Sequence, residues 1–150
     1  MAIQATIKIN PSLQKKLEGL EKIAEDGIKD KLESIAADVI KFSPVDTGTY
    51  VTSHSFKTNT SSRGRGRPST GKPRGQNPSS MRQLGYSQLI SDIQNLKLED
   101  LQKITLRNDS PHAQIVEGKI RGTLRDSSVD EFDPRQSGYF VYKKVRRNHK

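Results

Sequence analysis

The stretch LESIAADVIKFSPVDTGTY, Leu32 to Tyr50, decides how the chain is built. Its first half places Leu32, Ile35, Val39 and Phe42 at intervals of three and four, the spacing that puts side chains on one face of an α-helix. Pro44 disfavours helical geometry at Ser43, so the helix should stop at Phe42-Ser43. Asp46 and, more weakly, Thr47 can accept backbone N–H bonds across a turn. Gly48 permits a positive φ. From Thr49 to Lys57, TYVTSHSFK alternates, with Tyr50, Thr52, His54 and Phe56 on one face, which predicts a strand. The unit is therefore helix, sharp turn, strand.

Upstream, the helical spacing continues through Leu13, Leu17, Leu20, Ala24 and Ile28. Glu18–Lys22 and Glu25–Lys29 form i,i+4 pairs on the polar side. Asn10-Pro11 supplies a cap and a first-turn proline. Gly19 and Gly27 weaken the helix and allow a break near Gly27. The stripe reads as a core-packing face, with a coiled-coil seam as the alternative. Before it, AIQATIKI at 2–9 alternates Ile3, Ile7 and Ile9 against polar residues, a half-buried strand.

Downstream, Ser61 to Ser80 contains five Lys/Arg, four Gly and three Pro, with no acid and no aliphatic residue. Such a composition cannot bury enough apolar surface to offset the entropy of ordering, so residues of about 58–82 are expected to form a flexible basic loop. Leu84, Leu89, Ile93 and Leu96 suit a short helix over 83–96, and QKITLR at 102–107 is strand-like. Asn108 to Pro111 makes a turn, followed by one or two helical turns ended by Gly118. Residues 119–138 are polar; YFVYKKV at 139–145 reads as a last strand, and RRNHK as a frayed tail. The expected class is α+β: a long amphipathic N-terminal helix packed on a small, mostly antiparallel sheet, with a long basic loop. The 150 residues form one domain, with an ordered core of about 2–57 and 83–118 and a C-terminal extension at 119–150.

The net charge of +9 points to an acidic partner, nucleic acid or an acidic protein surface. It is unevenly placed: residues 11–42 hold six Lys and seven acids, whereas 57–82 hold seven Lys/Arg and no acid. There is no Cys for a disulfide or thiolate metal site. The N-terminus lacks a signal-peptide core, and no run reaches the ~18 apolar residues of a membrane span. His54, His112 and His149 have no metal spacing. Asp126, Asp130, Glu131 and Asp133 lack the Gly and terminal Glu of a calcium loop. No acid, base and nucleophile assemble in the sequence, so neither an enzyme nor a cofactor or small-molecule substrate is expected. Gly64-Arg65-Gly66-Arg67-Pro68 has the logic of an AT-hook, in which Arg-Gly-Arg enters the negative minor groove of A·T-rich DNA. Arg63, Arg65, Arg67, Lys72 and Arg74 are accordingly candidate DNA or protein contacts, either as a hook or as an assembly arm.

A second motif accompanies the turn. Pro44-Val45-Asp46-Thr47-Gly48 after a long helix, with Asn108, Ala113, Val116, Glu117 and Gly118 at N-x-x-x-Y-A-x-x-V/L-E-x-G spacing, resembles the tail-completion (neck, head–tail joining) proteins of long-tailed bacteriophages. His112 stands where that family usually has Tyr. The resemblance covers about residues 10–118. It implies a small α+β virion subunit that forms a ring, often a hexamer, between the head connector or adaptor and the tail terminator or tube. It also implies that Pro44, Asp46, Gly48, Asn108, His112, Ala113, Glu117 and Gly118 shape the subunit or its ring contacts and do no chemistry. The protein would be made in the host cytoplasm and end in the virion, with passing DNA a further contact. The alternative is a small basic nucleic-acid-binding protein that uses the Arg-Gly-Arg-Pro segment.

Overall fold

A computed structural model describes residues 10–58, 75–97, 99, 101, 103–118 and 139–150. The predicted strand at 2–9, the cations Arg63, Arg65, Arg67, Lys72 and Arg74, and the acids of 126–133 lie outside the described residues.

Helix α1 runs from Pro11 to Phe42. Asn10 caps it, its side chain accepting from Ser12 N at 3.0 Å, and Pro11 occupies the first turn. The helix continues through Gly19 and Gly27, so the break that Gly27 allows does not occur. A glycine costs a helix about 1 kcal/mol, which long flanking runs of good helix formers absorb. Ser43 ends it in extended geometry, and Arg82 donates to the Ser43 carbonyl at 3.2 Å.

Strand β1 spans His54–Thr58 and pairs antiparallel with β2, Ile104–Asn108; His54 faces Asn108 and Phe56 faces Leu106. Among the described residues these two strands are the whole sheet, so the expected α+β class holds with a smaller sheet than its name implies. Residues 49–53, expected as strand, instead coil: Thr52 N bonds to Gly48 O at 3.1 Å and Ser53 N to Tyr50 O at 3.1 Å. The Thr52 hydroxyl also donates to Gly48 O at 2.8 Å, and that of Ser53 to Thr49 O. Hydroxyl side chains closing local backbone bonds outcompete the strand that alternation predicts.

Helix α2 is Pro78–Gln94, capped by Asn77 through Ser80 N at 3.0 Å. The segment expected as loop up to residue 82 is therefore structured from Gly75, where Asn77-Pro78 repeats the cap-and-proline start of α1. Helix α3 is one turn, Ala113–Val116, closed by Gly118 at φ 70°, as the sequence predicts. Helix α4, Val141–Asn148, replaces the last strand expected from YFVYKKV. Val141 and Val145 lie four residues apart and both are buried, so a helical period competes with the twofold alternation and wins through packing. The tail is not frayed: Asn148 Nδ2 and His149 Nε2 reach Asp38 Oδ2 on α1 at 3.0 and 3.1 Å.

The core gathers Leu32, Ala36, Val39 and Ile40 of α1, Val45, Tyr50 and Val51 of the turn, and Phe56 of β1. Leu89 and Ile93 of α2, Leu96 just after it, Val116, and Val141 and Val145 of α4 complete it. Gly85 on α2 lets that helix close on the turn; a Cβ there would collide with Val51 O and meet Ile40 Cδ1 at 2.9 Å.

Candidate functional site

Two features could serve function: a polar knot that ties the two sequence motifs together, and the uncovered length of α1.

The knot is centred on His54, which is fully buried. Ser43 Oγ donates to Val39 O at 2.6 Å, so it accepts from His54 Nε2, 2.9 Å away. That places the ring proton on Nε2 and leaves Nδ1 to accept from the Tyr142 hydroxyl at 3.1 Å. Serine and imidazole here form a strut: the serine proton is committed to a backbone carbonyl, and neither side chain is exposed. Tyr50 stacks edge-on against His54 with ring centroids 4.9 Å apart.

Asn108 and Glu117 complete it. Asn108 Nδ2 donates to Tyr50 O at 2.9 Å, and its Oδ1 accepts from Ser110 N at 2.8 Å, closing the turn after β2. The Tyr50 hydroxyl donates to Glu117 Oε1 at 2.8 Å. Glu117 Oε2 accepts from Tyr142 N at 3.2 Å, so the carboxylate sits at the N-terminus of α4, where the helix dipole favours negative charge. Burial pushes both tyrosine hydroxyls well above their ordinary range, and the adjacent Glu117 carboxylate adds to the shift; both stay neutral donors.

The turn residues take part in a second way. Gly48 has φ 76° and abuts Met81; a Cβ there would strike Met81 Sδ and Cγ. Asp46 Oδ1 accepts from Gly75 N at 3.1 Å and Asp46 O from Gln76 N at 2.8 Å. Asp46 thus ties down the chain that enters α2, while Thr47 Oγ1 accepts locally from Thr49 N at 3.3 Å. Pro44 is buried. Of the residues singled out in the sequence, Asn108 and Glu117 enter the knot directly. Ala113 is half-buried, and Gly118 ends α3. His112 is exposed, so its ring takes no part in the core. Sequence reasoning missed Ser43 and Tyr142 as partners of His54. Each is polar or amphipathic, distant in sequence, and carries no spacing signal.

The second feature is α1 before Leu32. Leu13, Leu17, Leu20, Ile23 and Ile28 are exposed, Ile23 by 70%. At ~1.5 Å per residue this portion extends for roughly 30 Å. The expected core-packing face is thus realised only from Leu32 onward. At 100° per residue, Leu13, Leu17, Leu20, Ala24 and Ile28 share an arc of about 80°. The buried Leu32, Ala36, Val39 and Ile40 centre roughly 100° further round. The apolar stripe therefore splits into a covered face and a free one. The free one has the 4-3-4 spacing of a coiled-coil seam, Leu13-Leu17-Leu20-Ala24.

No protein-family model, curated protein or solved structure matches the chain.

Proposed function

We propose that this chain is a tail-completion subunit of a long-tailed bacteriophage neck, one of a ring of copies, six in the simplest case, that joins the head connector or adaptor to the tail. The observation that carries the reading is the free apolar face of α1. Most helical stability comes from tertiary packing of an apolar face, which the free part of α1 lacks, and Gly19 and Gly27 weaken it further. Each of its large apolar side chains gains roughly 1.5–3 kcal/mol on full burial. A helix that is exposed in the single chain and apolar along one seam is a surface awaiting a partner.

A second copy suits that seam. With Leu17 at a and Leu20 at d, Lys16 falls at g and Glu21 at the following e. Between parallel neighbours in a ring, Lys16 of one copy faces Glu21 of the next, and Ile23 faces the next copy's Ile28. Parallel helices suit a closed ring, whose copies all point the same way along the axis. The motifs that carry the phage resemblance add support: Tyr50, two residues after PVDTG, bonds to Asn108 and Glu117 of the second stretch. These hydrogen bonds are compatible with the subunit-shaping role that the resemblance implies for Asn108 and Glu117.

The test replaces Leu17 and Ile23 together by Glu, in a phage whose own copy of this gene is deleted and complemented from a plasmid. Wild type should restore infectious particles that contain the chain, whereas the double variant should leave filled heads and finished tails unjoined in electron micrographs. Particles that assemble without the polypeptide would sink the assignment. Normal joining by a folded double variant would remove α1 from it.

A further inference from the structure

We propose that the outward face of α4 is a binding site for the phosphate backbone of nucleic acid. Residues 139–150 contain Lys143, Lys144, Arg146, Arg147 and Lys150 and no acid. Val141 and Val145 turn one side of the helix into the core, which leaves Lys143, Arg146, Arg147 and Lys150 exposed. Arg146, Arg147 and Lys150 form no ion pair with the described residues. Lys143 and Lys144 only hover over rings, Lys143 Nζ 5.8 Å from Phe140 and Lys144 Nζ 5.9 Å from Phe42. The five cations and Phe140 line one open cleft of about 420 Å³.

The dimensions and chemistry select the ligand. From Lys143 to Asn148 the helix rises about 7.5 Å at ~1.5 Å per residue, and Lys150 lies two residues beyond its end. A DNA strand carries one phosphate per ~3.4 Å of axis, so this face spans about three phosphates. Amphipathic helices that bind lipid surfaces insert an apolar face, and the apolar face of α4 is already spent on the core. A protein partner needs a buried central anchor, and the patch offers only Phe140 among cations. An extended polyanion needs neither. The site reads charge and not sequence, and its residues are not those of the 63–74 segment, where a hook would sit. It rests on α4 alone and is independent of the neck assignment.

The experiment measures anisotropy of a labelled 30-base-pair duplex with the full chain between 50 and 200 mM salt. Three proteins are compared: wild type; Lys143→Ala with Arg146→Ala, Arg147→Ala and Lys150→Ala; and a loop variant with Arg63, Arg65, Arg67, Lys72 and Arg74 all replaced by Ala. Counterion release contributes about 0.9 to the log–log salt slope per phosphate neutralised. The α4 variant should therefore lose about 3 from the slope and at least about tenfold in affinity at the lowest salt. The loop variant should keep that share. Arg147→Gln with Lys150→Gln, at the chain end, repeats the measurement with a slope loss of about 2 should the fourfold variant melt early. Three results would overturn the proposal: no duplex binding by wild type at 50 mM salt, an α4 variant with wild-type slope and affinity, or α4-dependent binding to phosphatidylserine vesicles without binding to duplex.

Discussion

The two ends of α1 belong to one unbroken helix, yet they live in different solvents. From Leu32 to Phe42 the helix is packed by α2, α4 and the turn, with Ala36 and Val39 fully buried. From Pro11 to Lys31 it has water around it, although it is as rich in leucine and isoleucine. Hydrophobicity alone therefore does not place a residue in the core. The covered face exists because the turn at Pro44–Gly48 folds the rest of the chain back against that one part of the helix. The free face lies about a quarter turn round the axis and beyond the reach of those elements. Energetically, the foot is held by tertiary packing and the free half by propensity and capping, the weaker source of helical stability.

The sharpest way to break this comparison is the same truncation at each end. Leu32→Ala, in the foot, removes a buried side chain and should cost about 2–5 kcal/mol in denaturant unfolding. Leu17→Ala should change the stability of the single chain by less than about 0.5 kcal/mol. It should nonetheless lower self-association in sedimentation velocity. Equal costs at the two positions would mean that the free half is covered in solution.

Gly48→Val tests the hinge between the two regions. A β-branched residue at φ 76°, driven into Met81, should cost roughly 2–3 kcal/mol. A fully stable variant would show that the turn does not need this geometry. Glu117→Gln probes the knot more gently. It keeps the shape but removes the charge at the start of α4, with an expected loss of about 1 kcal/mol. Faster amide exchange at Val141–Val145 with little change at Leu13–Leu20 would locate that loss in the foot. Unchanged exchange at Val141–Val145 would count against the capping role.

The smallest effect expected is one of pH. The Asn148 side chain holds the Asp38 carboxyl below its ordinary range, with His149 adding to the effect against a partial desolvation cost. A depressed carboxyl stabilises the fold only while it is ionised. This contribution is complete above the unfolded-chain value of about 3.9 and disappears as pH falls through the lowered folded value. Because Asp38 is close to solvent, the loss should be slight. It should appear as selective loosening of Asn148 and His149 below pH 4, visible in their NMR shifts, and be absent in Asp38→Asn. Loosening that begins near neutral pH would assign it to another group.

Legibility in the sequence follows range. Asn10-Pro11 and Asn77-Pro78 each start a helix, Pro44 ends one, and Gly118 closes another. Each is a local steric or capping event, although the second pair lay inside a stretch read as loop from its composition. YFVYKKV is ambiguous because Val141 and Val145, four residues apart, share a face in either a helix or a strand. Only the groove beneath α4 resolves that choice. The candidate site divides the same way. Asn108, Glu117 and Gly48 were visible as turn-forming or motif positions, whereas the links from His54 to Ser43 and Tyr142 span 11 and 88 residues.

By itself the sequence determined the local events: where helices begin and end, that one long helix carries an apolar stripe, that Gly48 must turn the chain, and that charge is concentrated outside α1. The tertiary structure decided which third of the stripe is covered, that the C-terminal segment is a docked helix, and that a buried histidine links the end of α1 to α4. The physical reason is that capping and backbone sterics act over a few residues. Burial depends on which surfaces, distant along the chain, arrive at the same place.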